Sequence, residues 1–134
     1  GFSLLKDLYK TEINELCKWR NKNTSNRFKI NKKDIIPSNI LLKEPTAELK
    51  FNQKDSDTLP SYDILDKILY LLIDKNKDLK TIMNKGFKEK IVRKIWKMVK
   101  NSEFKRYQSA LGPKVSEMSL DRDRRFPITN KFIL

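Results

Sequence analysis

The chain has 134 residues, with 30 Lys and Arg against 17 Asp and Glu, for a formal charge of +13 at neutral pH. That length fits one domain, and 38% hydrophobic residues beside 35% charged ones allow a lean core. The absence of histidine and the single cysteine, Cys17, exclude histidine triads, thiolate zinc clusters and internal disulfides; three glycines leave no glycine-rich loop to cradle phosphates.

No run approaches the roughly 18 consecutive apolar residues of a membrane span, and the start carries no basic-then-apolar signal pattern. A cytoplasmic protein with no membrane partner is expected. Cys17, on an apolar helix face, reads as a small core residue in a reducing compartment. The chain opens at Gly1 and enters a helical pattern almost at once, as expected of a domain cut from something longer. The basic excess favours polyanionic partners, whether nucleic acid, a membrane surface or phosphate-bearing small molecules, and charge alone does not choose among them.

In "LLKDLYKTEINELCKWRN" the residues Leu5, Leu8, Tyr9, Ile13, Leu16 and Cys17 recur at steps of three and four, which predicts a helix over residues 1–21. Residues 22–60 read as loops. Within them "NKNTSNRFKINKKD" is polar and exposed, "IIPSNILL" is a short apolar segment, and Pro37 and Pro45 argue against a long strand. The stretch "LLKEPTAELKFNQKDSDTLPSYD" contains two prolines, no glycine and few large apolar residues.

A three-helix unit is expected over residues 61–101. In "SYDILDKILYLLID" Ile64, Leu65, Ile68, Leu69 and Leu72 share a face behind a capping Ser61. The short helix "DLKTIMN" closes at Lys85-Gly86, where glycine suits the left-handed residue past a helix end. Then "KEKIVRKIWKMVKN" repeats the period through Ile91, Val92, Ile95, Met98 and Val99. Residues 102–134, broken by Gly112-Pro113 and Pro127, read as an irregular tail.

The second and third of these helices, with Lys88, Lys90, Arg93, Lys94, Lys97 and Lys100, outline a helix-turn-helix nucleic-acid binder. The cations are spread around the polar faces, however, and the third helix opens without the base-reading Asn, Gln or Arg cluster. A solvated face on an ordinary bundle fits the same residues.

Four blocks carry a closer likeness: "GFSLLKDLYKTEINELCKWRN", "IIPSNILLKEPTAELKFNQKDSDTLPSYDILD", "NSEFKRYQSALGPK" and "DRDRRFPITNKF". In order and spacing they resemble NAD+ synthase, in particular the synthase (amidoligase) domain of its glutamine-dependent form, across essentially the whole chain. The resemblance implies a mainly α chain with one or two short strands, the C-terminal helical part of an α/β Rossmann-like ATP-pyrophosphatase (adenine nucleotide α-hydrolase-like) domain. It implies ATP-dependent amidation of deamido-NAD+ through an adenylate, with magnesium and with ammonia drawn from glutamine by a separate nitrilase-like domain. The three-helix unit is then scaffold, which removes most of the case for a nucleic-acid partner and leaves a basic helical nucleic-acid-binding module as the alternative.

Residue by residue, Lys10 in "DLYKT" matches the family's ATP-binding lysine and Thr46 in "EPTAEL" its ATP-binding threonine. Lys105 in "EFKR" matches a lysine that contacts deamido-NAD+. Glu48, Asp63 and Arg106 fall in matched blocks without an assigned role, and Phe104 stands where relatives commonly carry tyrosine or histidine. The segment at about 44–60 corresponds to a lid that orders over bound nucleotide, so mobility without ligand is expected there. The family's S-G-G-x-D-S phosphate loop and its magnesium carboxylates have no counterpart here, so no metal ligand is expected on this chain and inactivity alone is. Partners implied are the upstream half of the synthase domain, a glutaminase domain and further copies in a homo-oligomer.

Overall fold

A computed structural model describes residues 1–43, 59–119 and 123–129. Among them the chain is mainly helical, with α1 at Lys10–Lys22, α2 at Ser38–Leu42, α3 at Tyr62–Leu72, α4 at Leu79–Asn84, α5 at Glu89–Asn101 and α6 at Glu103–Gln108. The one or two short strands expected from the sequence are absent among the described residues, where an isolated parallel bridge joins Phe2 to Leu111. No described helix is long and apolar enough to cross a membrane. The chain divides into two compact units: residues Gly1–Leu8 with Asp63–Leu134, and Tyr9–Tyr62.

In the first unit, α3 buries Leu65, Ile68 and Leu72, and the turn after it buries Ile73. The three helical positions are spaced by three and four, so one apolar stripe leaves water while Ile64 and Lys67 remain exposed. Asp78 caps α4 by accepting the Thr81 N–H at 2.6 Å, and Gly86, at φ 93°, supplies the left-handed residue that ends it. α4 packs directly on α5, contributing Ile82 against a stripe of Val92, Ile95 and Val99. Met98, expected on that stripe, is exposed.

The segment before α1 differs from its reading as helix. α1 begins at Lys10, where Tyr9 is extended and the Glu12 carboxylate accepts the Tyr9 N–H at 2.8 Å. Residues ahead of it are tied elsewhere. Ser3 donates its N–H to Leu111 O at 2.7 Å, and Lys6 Nζ donates to Ser109 Oγ at 2.9 Å and Ala110 O at 2.5 Å. Asp7 Oδ2 accepts from Val115 N, Ser116 N and Ser116 Oγ at 2.7, 2.8 and 2.9 Å. These bonds replace the intrahelical ones that the apolar spacing alone suggests. Gly112 lies in this contact, where a Cβ would run into Ser3 O and the Lys6 side chain.

Nor is the tail wholly irregular, since residues 103–108 form α6. Beyond it, Phe126 packs edge-on against Trp96 at 5.4 Å between centroids, and Arg124 sits over both rings while its Nη1 donates to Leu72 O. Lys114 and Asp123 pair at 2.5 Å, and Lys75 pairs with Glu117 at 2.9 Å.

In the second unit α1 and α2 are in direct contact. α2 starts after Pro37, whose carbonyl accepts the Ile40 N–H at 3.0 Å. The polar run between the helices is organised by two side chains of α1. Arg20 lies 4.2 Å over the Phe28 ring and donates to Asn23 O at 3.1 Å, Lys32 O at 3.0 Å and Ile30 O. Asn21, buried, donates to Ile36 O at 2.8 Å and accepts the Ile36 N–H at 2.9 Å. Cys17 is half-buried.

Candidate functional site

Lys10 is the first residue of α1 and is exposed. The first turn of a helix carries backbone N–H groups without intrahelical partners and the positive end of the helix dipole, so a lysine there gains nothing from its own helix. Its amine and those N–H groups share one sign, and the combination suits an anion. Glu12, two residues on, is committed to the Tyr9 N–H and holds the start of the helix in place.

Thr46 and most of the segment expected to act as a lid lie outside the described residues, as does Glu48.

Lys105 sits on α6, exposed, with its ammonium 6.0 Å from the centroid of the Phe104 ring. Phe104 therefore offers an aromatic face to that cation, a contact at the outer limit of a cation–π interaction. Lys105 and Lys10 belong to different units.

Arg106, left without a role by the sequence, has a structural one. Its Nε and Nη2 donate to Glu103 Oε2 at 3.0 and 2.5 Å, its Nη1 to Ser102 Oγ at 3.0 Å, and its Nη2 also to Val99 O at 2.7 Å. Glu103 is 1% exposed, and Arg125 of the "DRRFP" stretch approaches its other oxygen, Oε1, to 3.7 Å. The sequence hint was the Glu-x-x-Arg spacing in "EFKR", which places both residues on one helix face; that this face would be buried was not visible.

Five exposed cations on or just before α5 remain from the helix-turn-helix outline: Lys88, Lys90, Arg93, Lys94 and Lys97. Arg93 is paired with Glu89 at 2.7 Å, and α4 is only six residues long. Among the described residues no group of three or more acidic or cysteine side chains converges in a way that could hold a metal ion.

A family model for NAD synthase matches residues 1–109. The chain belongs to the NAD synthase family. It is 42% identical, over 97% of its length, to the glutamine-dependent NAD(+) synthetase of Acinetobacter baylyi, of which it covers 23%. It is equally 42% identical, over 98% of its length, to that of Thermotoga maritima, covering 22%. Among solved structures it is similar to the glutamine-dependent NAD+ synthetase of Acinetobacter baumannii in complex with adenosine diphosphate, with a TM-score of 0.52 and 34% identity over 93% of this chain and 20% of that one. The chain thus spans less than a quarter of the length of these NAD synthase relatives.

Proposed function

We propose that this chain supplies the C-terminal portion of the synthase domain of a cytoplasmic, glutamine-dependent NAD+ synthetase, a Rossmann-like ATP-pyrophosphatase domain completed by an upstream half. The observation that carries this reading is the 42% identity to such synthetases over 97% of the chain. In the reaction a carboxylate oxygen of deamido-NAD+ attacks the α-phosphate of ATP, pyrophosphate leaves, and a nicotinoyl adenylate forms. Ammonia, derived from glutamine, then attacks the carbonyl carbon, loses a proton and expels AMP, leaving the amide.

Two polyanions must meet in that sequence, so the work for this chain is positioning and charge balance. Lys10, at the positive end of the α1 dipole, holds ATP phosphate oxygens. The adenosine diphosphate bound by the Acinetobacter baumannii relative supports an adenine nucleotide as ligand. Thr46 adds a hydroxyl to ATP. Lys105, on the exposed face of α6, holds deamido-NAD+. Magnesium bound to the pyrophosphate would neutralise charge on the leaving group. The resemblance assigns its ligands to the upstream half of the domain.

The test is a chimera in which this chain replaces the corresponding segment of the Acinetobacter baylyi synthetase. NAD+ formation from deamido-NAD+, ATP, magnesium and glutamine is expected, with none from the 134-residue chain alone. A folded chimera that binds neither ATP nor deamido-NAD+ overturns the reading.

A further inference from the structure

We infer that Glu103, Arg106 and Arg125 form a positioning unit that fixes α6, and through it sets where Lys105 meets deamido-NAD+; the substrate half of this statement rests on the proposed role of Lys105. α6 has six residues, too few to persist as a helix by its own hydrogen bonds. Something outside it must hold it.

The holding groups lie on its inner face. Glu103 and Arg106 are one turn apart, with side chains 2% and 10% exposed. Arg106 uses Nη1 and Nη2 to reach Ser102 Oγ and Val99 O, while Nε and Nη2 grip Glu103 Oε2. One guanidinium therefore joins the first turn of α6 to the last turn of α5. Ser102 is shared by both helices, and its carbonyl accepts the Lys105 N–H at 3.0 Å.

Glu103 Oε1 is buried without a hydrogen bond, and Arg125 Nη1 lies 3.7 Å from it. The same guanidinium lies 4.3 Å from the centroid of the Tyr107 ring. Arg125 thus touches α6 near both ends, and Lys105 falls between its two contacts. At about 100° per residue, Lys105 turns roughly 200° from Glu103, so the face that is held and the face that presents the lysine are opposite. A buried carboxylate with one unfilled oxygen is a poor choice for stability alone, because apolar packing would avoid its desolvation. It does fix a single register.

The experiment measures KM for both nucleotide substrates in the chimera carrying Arg125→Ala, Arg125→Lys, Lys105→Ala and the Lys105→Ala/Arg125→Ala pair. Arg125→Ala should raise KM for deamido-NAD+ about tenfold with KM for ATP within about twofold, as small misplacements of a binding group do. Arg125→Lys, which keeps the charge but loses the planar stack, should recover part of that. In the pair the Arg125 effect should vanish, since its route runs through Lys105. Equal rises in both KM values, or additive effects in the pair, overturn the inference. Amide exchange of residues 103–108 in the chimera separates the two layers. Unchanged protection in Arg125→Ala overturns the positioning unit whatever Lys105 does. Lost protection together with a Lys105→Ala enzyme of normal KM supports the unit and instead defeats the assignment of Lys105. Arg125 is one-third exposed, so its variants are expected to fold; Glu103→Gln, at the buried position, is the second probe.

Discussion

Asp7 and Ser116, separated by 109 positions in sequence, are joined by two hydrogen bonds to one carboxylate oxygen, from the serine N–H at 2.8 Å and its hydroxyl at 2.9 Å. Val115 N adds a third at 2.7 Å. Burial opposes ionisation of Asp7, and the bonds from Ser116 and Val115 outweigh it, leaving the carboxyl below its ordinary range. A carboxylate whose folded pKa is depressed stabilises the fold above its unfolded pKa and loses that contribution as pH falls through the folded value. Asp7→Asn keeps an acceptor oxygen but loses the charge, so it should lower thermal stability at neutral pH by at most about 1 kcal/mol once solvent screening is counted, and flatten the acid limb of a melting profile. A variant whose acid limb matches the parent's removes Asp7 from this role.

Gly112 and Gly86 make opposite demands. A Cβ at Gly112 meets Ser3 O and the Lys6 side chain, and the first of these is backbone held by its own contacts. A Cβ at Gly86 meets nothing within 4 Å, but the residue sits at φ 93°. Gly112→Ala should destabilise by about 2–3 kcal/mol through overpacking and open the contact between residues 3–7 and 109–116. Gly86→Ala should cost about 1 kcal/mol through strain alone. Denaturant melts with amide exchange of the Ser3 N–H distinguish them, because only the first should expose that amide.

Asn21 is predicted to hold the loop between α1 and α2. Its side-chain amide satisfies both the N–H and the C=O of Ile36, and its backbone carbonyl accepts the Asp34 N–H at 3.0 Å. Asn21→Ala keeps the backbone bond to Asp34 but strands the Ile36 N–H and C=O, and should destabilise by about 1–3 kcal/mol. Asn21→Asp keeps the acceptor and loses the donor, so the Ile36 amide should stay protected in Asp and exchange freely in Ala. Exchange that is the same in both variants would contradict the clamp.

Lys10→Ala separates ligand binding from folding. A cation in the first turn of α1 opposes the helix dipole, so its removal should raise stability by about 0.3–1 kcal/mol. The same change in the chimera should raise KM for ATP about tenfold by removing a phosphate contact. A lysine that is only a solvated surface residue would show the first effect without the second.

Legibility in the sequence followed the range of the interactions. The stripe Leu65, Ile68 and Leu72, the stripe Val92, Ile95 and Val99, and the glycine stop at Gly86 were readable because helical period and left-handed geometry are properties of neighbouring residues. The same period misled at Leu5 and Leu8, which continue the spacing of α1 although Ser3, Lys6 and Asp7 are bonded to residues more than 100 positions away. Lys10, Thr46 and Lys105 were named by resemblance, and no local pattern marks any of them as different from another surface residue.

The sequence by itself therefore determined a mainly helical chain, the stripes that α3 and α5 bury, and membership of the NAD synthase family. Tertiary structure alone decided where α1 begins, that residues 103–108 form a helix, and that Arg106 and Arg125 converge on a buried Glu103. The reason is physical: periodicity records which face leaves water, whereas a buried charge acquires its partners only when distant segments bring their donors to it.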